Sequence, residues 1–144
     1  MENDRIENEI FIAAPLEKVW SLVSEPAWWV GDAPGPNHVH VDGKRVVAET
    51  RFGNFPVLIE RMDHPNYLAF RWASSFPSEE PREGNSTLVE FTLSAKDDGT
   101  VLRVVESGFA KLTTTNDERM KFFRENTEGW KQQFDYLRQR AEKS

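Results

Sequence analysis

The chain has 144 residues, a net charge of −6 and no cysteine. Its length favours a single domain, residues 1–144, with enough chain to bury a core. The negative charge argues against nucleic acid or an anionic membrane as a partner, and no apolar stretch is long enough for membrane insertion. Without cysteine, disulfides, thiolate nucleophiles and Cys-ligated zinc are excluded. Because the amino terminus lacks the basic-then-apolar order of a signal peptide, we expect a cytoplasmic protein.

The amino-terminal part predicts one strand followed by two short helices. Residues 5–12 alternate apolar and polar side chains, which indicates a half-buried strand. Pro15 suits the first turn of a helix, and apolar residues follow at helical spacing as far as Val23. A second short helix should hold Trp28 and Trp29. Adjacent residues on a helix cannot both face the core, so one of these tryptophans lines either a pocket entrance or a partner surface.

The middle of the chain has the pattern of strands. Segments 38–41 and 44–51 flank Asp42-Gly43, a strong signal for a two-residue hairpin turn. Four further strands are predicted at 55–62, 67–73, 87–95 and 100–109. Residues 76–86 are polar, acidic and rich in Pro and Gly, which indicates an exposed, flexible loop.

Residues 116–143 predict one long helix. Its apolar stripe consists of Met120, Phe123, Thr127, Trp130, Phe134, Leu137 and Ala141. This spacing keeps one face apolar, so the helix should lie against a large apolar surface over its whole length. Thr115 and Glu118 match a capping box at its start. The order of elements indicates an α+β domain with the helices on one sheet face and an internal cavity between the sheet and the long helix.

Glu106 is the most pointed candidate for a functional residue. Arg103 would be costly to bury, so alternation along this strand places Val104 and Glu106 on the inner face. A carboxylate among apolar groups is desolvated, which raises its pKa and makes it a candidate ligand anchor or general acid/base. The structural alternative is pairing with an arginine, or hydrogen bonds to Ser107 or Thr113.

Aromatic residues on the inner faces suggest the walls of a pocket. Trp72 on the sheet and Trp130 on the helix could meet across the cavity, and Asn126 interrupts the helix midway with a group that can hydrogen-bond a ligand. Core packing and a helix-to-strand hydrogen bond are the structural alternatives. Gly129 indicates close packing of the helix on the sheet, since a helical glycine costs about 1 kcal/mol relative to alanine. The predicted ligand-binding residues are Trp72, Phe70, Phe91, Leu93, Val104, Glu106, Phe123, Asn126 and Trp130.

The sequence predicts neither a metal site nor a cofactor. His38, His40 and Asp42 share one strand face, but a solvated edge strand explains them without a metal. No Gly-rich phosphate loop, nucleophile elbow or Ser/His/Asp signature is present. The pattern indicates a pocket more clearly than a reaction.

Both ends of the chain resemble a known family. Residues 6–20 resemble the start of a helix-grip domain of the activator of heat-shock-protein-90 ATPase-like family, and residues 105–109, 126–130 and 134–137 are similar to its carboxy-terminal pattern. The resemblance implies a curved antiparallel sheet of about seven strands wrapped around a long carboxy-terminal helix. This fold is shared with lipid-transfer domains related to the steroidogenic acute regulatory protein, the birch pollen allergen and polyketide cyclases. The resemblance also implies a hydrophobic cavity, but it supplies no shared catalytic set.

Three functions remain open from the sequence. The leading hypothesis is binding of a small apolar or aromatic ligand, lipid-like or polyketide-like, by a monomer or homodimer. The second is a cyclase-like or dehydratase-like enzyme that uses Glu106 as acid/base. The third is a co-chaperone-like regulator of a heat-shock-protein-90 ATPase, connected with the stress response, for which Trp28 and Trp29 would be contacts.

Overall fold

The computed structural model describes residues 5–25, 38–50, 53–73, 76 and 79–143. The elements are, in chain order, β1 (Arg5–Ile12), α1 (Leu16–Val23), β2 (His38–Asp42), β3 (Arg45–Thr50), β4 (Gly53–Asp63), β5 (Tyr67–Trp72), β6 (Thr87–Lys96), β7 (Gly99–Ser107), a 3₁₀ turn (Phe109–Lys111) and α2 (Asn116–Glu142). The predicted second short helix, with Trp28 and Trp29, lies outside the described residues.

The strands form one seven-stranded antiparallel sheet in the order β1-β7-β6-β5-β4-β3-β2. A register shift between Ile59 and Arg61 interrupts the pairing of β4 with β5, and such bulges bend a sheet. With the long helix on one face, this is the predicted α+β, helix-grip arrangement. The first hairpin is confirmed, but its turn is one residue later than predicted. Asp42 pairs with Arg45, so the turn residues are Gly43 and Lys44, and Gly43 adopts a positive φ of 62°.

Alternation assigns the sheet faces as predicted. The concave face carries apolar residues that form one buried core with α1 and the second half of α2. Its buried strand residues include Leu68, Phe70, Trp72, Val89, Phe91, Leu93, Leu102 and Val104. Arg71 and Arg103 lie on the opposite, convex face, where each forms an ion pair with a glutamate.

Helix α2 is buried over only part of its length. Thr115 caps it by accepting a hydrogen bond from the Glu118 backbone nitrogen at 3.2 Å, whereas the Glu118 carboxylate bonds to the Thr114 hydroxyl. The buried residues Trp130, Phe134, Leu137 and Ala141 all belong to its second half. In the first half, Met120 is 43% exposed and Phe123 is half-buried. The predicted contact along the whole helix therefore fails at exposed Met120, whereas Phe122 and Phe123 still pack against the core before Trp130.

Gly129 is not explained by close packing. A Cβ built at this position meets no atom within 4 Å, although the residue is half-buried. The prediction that a glycine is needed here because the helix approaches the sheet closely is wrong. Open space lies beside the helix at this point.

The segment after β5 is more structured than predicted. Asn85 is only 5% exposed, and its side chain bonds to Glu79 Oε1, Glu80 O and the Arg82 backbone nitrogen. The Phe76 ring packs edge-on against Phe122, with ring centroids 5.8 Å apart. The polar composition of residues 76–86 favours an exposed loop. Composition alone does not reveal internal hydrogen bonds such as those of Asn85.

Among the described residues, no helix combines the length and hydropathy needed to cross a membrane.

Candidate functional site

Glu106 lies near the end of β7 with its side chain on the concave face. It is 0% exposed, which confirms the inward orientation predicted from alternation. Its direct neighbours across the sheet are Ile6 on β1 and Val89 on β6, both apolar and buried. The carboxylate is thus removed from water by its position in the strand.

Four side chains donate hydrogen bonds to this carboxylate. Oε1 accepts from Trp130 Nε1 at 2.8 Å, and Oε2 accepts from Trp72 Nε1 at 3.0 Å and from Thr87 Oγ1 at 2.6 Å. Asn126 Nδ2 reaches both oxygens, at 3.2 and 3.0 Å. We call Glu106 and these four residues the Glu106 clamp. It joins β5, β6 and β7 to the middle of α2.

The clamp sets the electrostatics of the site. Burial raises the pKa of Glu106, and the hydrogen bonds from Thr87, Trp72, Trp130 and Asn126 offset part of that rise. All four donors are neutral, so the carboxylate is held by dipoles. The predicted alternatives, an arginine partner or hydrogen bonds to Ser107 or Thr113, are not found in the described part of the chain.

The acceptor capacity of the carboxylate is used within the protein. Two carboxylate oxygens offer about four lone-pair sites, while five donor contacts converge on them. The indole and amide nitrogens can only donate, so the clamp matches an acceptor-only group. It fixes the orientation of Trp72, Trp130 and Asn126 and leaves no acceptor position open for a substrate.

The predicted meeting of Trp72 and Trp130 is observed. Their rings stack at 5.6 Å with an interplanar angle of 28°. Phe91 packs edge-on against Trp130 at 5.5 Å, and Phe70 packs edge-on against Trp72 at 5.4 Å. Such pairs contribute about 0.5–1.5 kcal/mol each beyond area burial.

The remaining predicted site residues divide into two groups. Phe70, Phe91, Leu93 and Val104 are buried in the core, with exposed fractions of at most 2%. Phe123 is half-buried and packs edge-on against Phe109 at 5.3 Å. Asn126 is also half-buried and forms the outer side of the clamp.

Thr87 is a clamp residue that the sequence reasoning missed. It lies two residues before Val89, on the same side of β6, so alternation alone places it inside. Its exposed fraction is 3%. The alternation of side chains along β6 could therefore have identified Thr87 as an inward-facing residue.

A largely apolar cavity of about 650 Å³ opens on the concave face at the other end of the sheet. Its lining includes Val41, Val46, Ile59 and Met62, together with the charged residues Lys44, Glu60 and Arg61. Val46 pairs with Val57, and Val57 pairs with Trp72, so an apolar row leads from the cavity to the clamp. Since neighbouring strands are about 4.8 Å apart, Trp72 lies roughly 10 Å from Val46 along this row.

No group of three or more His, Asp or Glu residues in the described ranges is arranged to hold a metal ion. The side chains of His38 and His40 lie outside the described residues. His64, in the turn between β4 and β5, instead contacts Glu17 Oε2 at 2.8 Å and packs edge-on against Trp20.

Comparisons with known proteins agree with this architecture. Residues 13–142 match the family model described as activator of Hsp90 ATPase homolog 1-like protein. No match was found among curated proteins.

Three solved structures illustrate the similarity. Protein BH1534 from Bacillus halodurans is 25% identical with a TM-score of 0.69, covering 97% of this chain and 100% of that one. The Aha1 dimer from Colwellia psychrerythraea is 19% identical with a TM-score of 0.68, covering 96% of both chains. DynU16, a putative protein in the dynemicin biosynthetic locus, is 21% identical with a TM-score of 0.68, covering 98% of this chain and 48% of that one.

Proposed function

This chain belongs to the activator of Hsp90 ATPase homolog 1-like family, and from that starting point we propose that it binds a small apolar or aromatic molecule on the concave face of its sheet. The observation that carries the proposal is the largely apolar cavity of about 650 Å³, from which a row of apolar residues leads to Trp72. This volume falls within the range of small-molecule sites, about 300–1,000 Å³.

The chemistry of the cavity wall favours an apolar ligand. Val41 is 64% exposed and Met62 is 45% exposed, so both present apolar surface that a ligand could cover. Removing apolar area from water stabilises a complex by roughly 25 cal/mol per Å², before the cost of association. A ligand of lipid or polyketide size can bind by this effect without a charge partner.

The Glu106 clamp would hold the inner end of the site rigid. It fixes the faces of Trp72 and Trp130, and it holds Asn126 at the half-buried edge of α2. The open space beside Gly129 lies one helical turn further along α2. In this proposal Phe123 and Asn126 line the helix side, while Phe70, Phe91, Leu93 and Val104 support the wall from behind.

A titration with a panel of apolar and aromatic compounds tests the proposal. Amide resonances of Val46, Val57 and Trp72 should shift in saturable fashion in ¹H–¹⁵N spectra. Val41→Asp should weaken binding at least about tenfold, because a bound ligand would desolvate the new charge. The matched control is Leu58→Asp, since Leu58 is 41% exposed on the convex face. Equal weakening by both substitutions, or no saturable shift with any compound, would refute the proposal.

The donors around Glu106 weigh against the acid/base alternative. A general acid or base needs a substrate atom within hydrogen-bond reach, whereas both oxygens of Glu106 already accept two or three bonds from the protein. The raised pKa of Glu106 is consistent with a structural role under burial.

Family membership supports a second candidate function, regulation of the ATPase of a heat-shock-protein-90 homologue. The test is a steady-state ATPase assay of such a homologue with and without this protein. Stimulation that is lost on replacing Trp28 and Trp29 by serine supports this candidate. An unchanged ATPase rate at saturating protein excludes it.

A further inference from the structure

A second cavity, of about 480 Å³, lies on the convex face, away from the proposed ligand site. Its floor is formed by Arg71 on β5, Leu88 on β6 and Ser107 on β7, which are direct neighbours across the sheet. Its walls are formed by residues 82–86 and by the 3₁₀ turn, which contributes Lys111. The cavity therefore exists because two chain segments meet over the sheet.

These two segments are fixed to each other. The Thr113 backbone nitrogen donates to Gly84 O at 2.7 Å. Gly84 has a φ of +92°, and a Cβ at this position would lie 2.7 Å from Thr113 Oγ1, so the close approach requires glycine. Buried Asn85 fixes the same segment through the Arg82 backbone nitrogen at 2.7 Å. The walls are thus held by specific contacts.

Three basic side chains line this cavity, although the chain carries a net charge of −6. They are Arg71, Arg82 and Lys111; the lining also contains Glu83, and the two arginines are paired with Glu60 and Glu79. Within the described ranges, the ammonium group of Lys111 forms no ion pair. Basic side chains grouped in one cleft can attract a small anion even on an acidic protein.

The two arginines retain free donors. Arg71 uses Nε for Glu60, at 2.6 Å, and Arg82 uses one terminal nitrogen for Glu79, at 3.0 Å. A guanidinium has five N–H donors, so terminal nitrogens of both residues remain available for a ligand. The half-buried hydroxyl of Ser107, on the cavity floor, has no hydrogen-bond partner in the described part of the chain.

We propose that this convex-face cavity binds the oxyanion group, phosphate or carboxylate, of a small molecule. Arginine forks pair with both groups in bidentate geometry, and lysine adds a point charge. The volume suits a small molecule. Glu83 and the acidic surface of the protein disfavour an extended polyanion such as nucleic acid.

The test is a ¹H–¹⁵N titration of the full chain with inorganic phosphate and, separately, with acetate, at an ionic strength held constant with chloride. We expect saturable shifts at Gly84, Ser107 and Gly108 with at least one anion, and the tighter of the two identifies the preferred group. Lys111→Gln and Arg82→Gln should each weaken that anion at least about fivefold. Glu83→Gln should tighten it, because it removes the one like charge from the lining.

Lys121→Gln is the matched control, since Lys121 is exposed on α2 and does not line the cavity. Linear, non-saturating shifts with both anions would overturn the proposal. Equal anion affinity in Lys111→Gln and Lys121→Gln would also overturn it, as would weaker anion binding in Glu83→Gln.

Discussion

At the scale of single residues, Glu106 shows how a buried charge can be kept without a cation. An unpaired carboxylate in a core is costly, and it is tolerated where enough donors replace water. Here two indoles, one amide and one hydroxyl provide that replacement. The dependence is mutual, because an apolar residue at position 106 would leave the N–H groups of Trp72 and Trp130 buried without an acceptor.

Glu106→Gln should destabilise the fold by about 2 kcal/mol, the range found for hydrogen bonds to charged groups. The amide nitrogen of glutamine donates where the clamp supplies donors, so at least one indole loses its acceptor. Urea unfolding at neutral pH measures the change. Glu128→Gln, on the exposed side of α2, should change stability by less than about 0.5 kcal/mol. If the two variants are equally stable, the clamp contributes little to folding.

At the scale of elements, α2 is a helix of two unequal halves. From Trp130 onward it is buried against the core, while its first half carries Phe122, Phe123 and Asn126 half-buried beside open space at Gly129. Apolar periodicity predicts which face of a helix turns inward. It does not show whether the rest of the core contacts that face along the whole helix. For this reason the predicted contact fails at exposed Met120, although Phe122 and Phe123 still pack against the core.

Two glycine-to-alanine substitutions test this description of space. Gly129→Ala should stabilise the protein by about 0.5–1 kcal/mol, because the helix gains propensity and the new methyl meets no atom within 4 Å. Gly99→Ala should destabilise it, because the Cβ would lie 2.4 Å from Ile12 O and 2.5 Å from the Phe11 ring. Thermal unfolding of both variants gives the comparison. A loss of stability in Gly129→Ala would mean that the space beside α2 is filled.

At the scale of the whole molecule, the pH dependence of stability should reveal the balance at Glu106. Burial raises its pKa, so above the ordinary carboxyl value the folded protein keeps a proton that the unfolded chain has lost. The stability contributed by Glu106 therefore falls as the pH rises through that window. Glu80 acts in the opposite sense, because its hydrogen bond with Arg45 lowers its pKa and its contribution is lost as the pH falls.

Comparison of the wild type with Glu106→Gln isolates the Glu106 contribution. Urea unfolding from about pH 4 to about pH 8 should show a stability difference in favour of the wild type that is largest at low pH and shrinks as the pH rises. Glu80 and the other carboxylates are present in both proteins and cancel. A difference that grows with pH would mean that the four donors outweigh burial and hold the pKa of Glu106 below its usual value.

Much of this architecture could be predicted from local patterns. Alternation placed Glu106 and Trp72 inside, and helical spacing put Trp130 on the matching face of α2. Local patterns do not show that side chains from β5, β6 and α2 all donate hydrogen bonds to one carboxylate. The cavity on the convex face was not predicted for a similar reason. Its walls depend on a contact between Gly84 and Thr113, two residues that are distant in sequence.

The clamp also gives the protein two built-in spectroscopic probes. Of the five tryptophans of the protein, Trp130 and Trp72 donate their indole N–H to the Glu106 carboxylate, at 2.8 and 3.0 Å. Protons in charge-assisted hydrogen bonds are deshielded, and burial slows their exchange with solvent. The indole region of a one-dimensional proton spectrum should therefore contain two resonances set apart from those of exposed indoles. Because they share one acceptor, both should respond together whenever Glu106 gains a proton or α2 moves from the sheet.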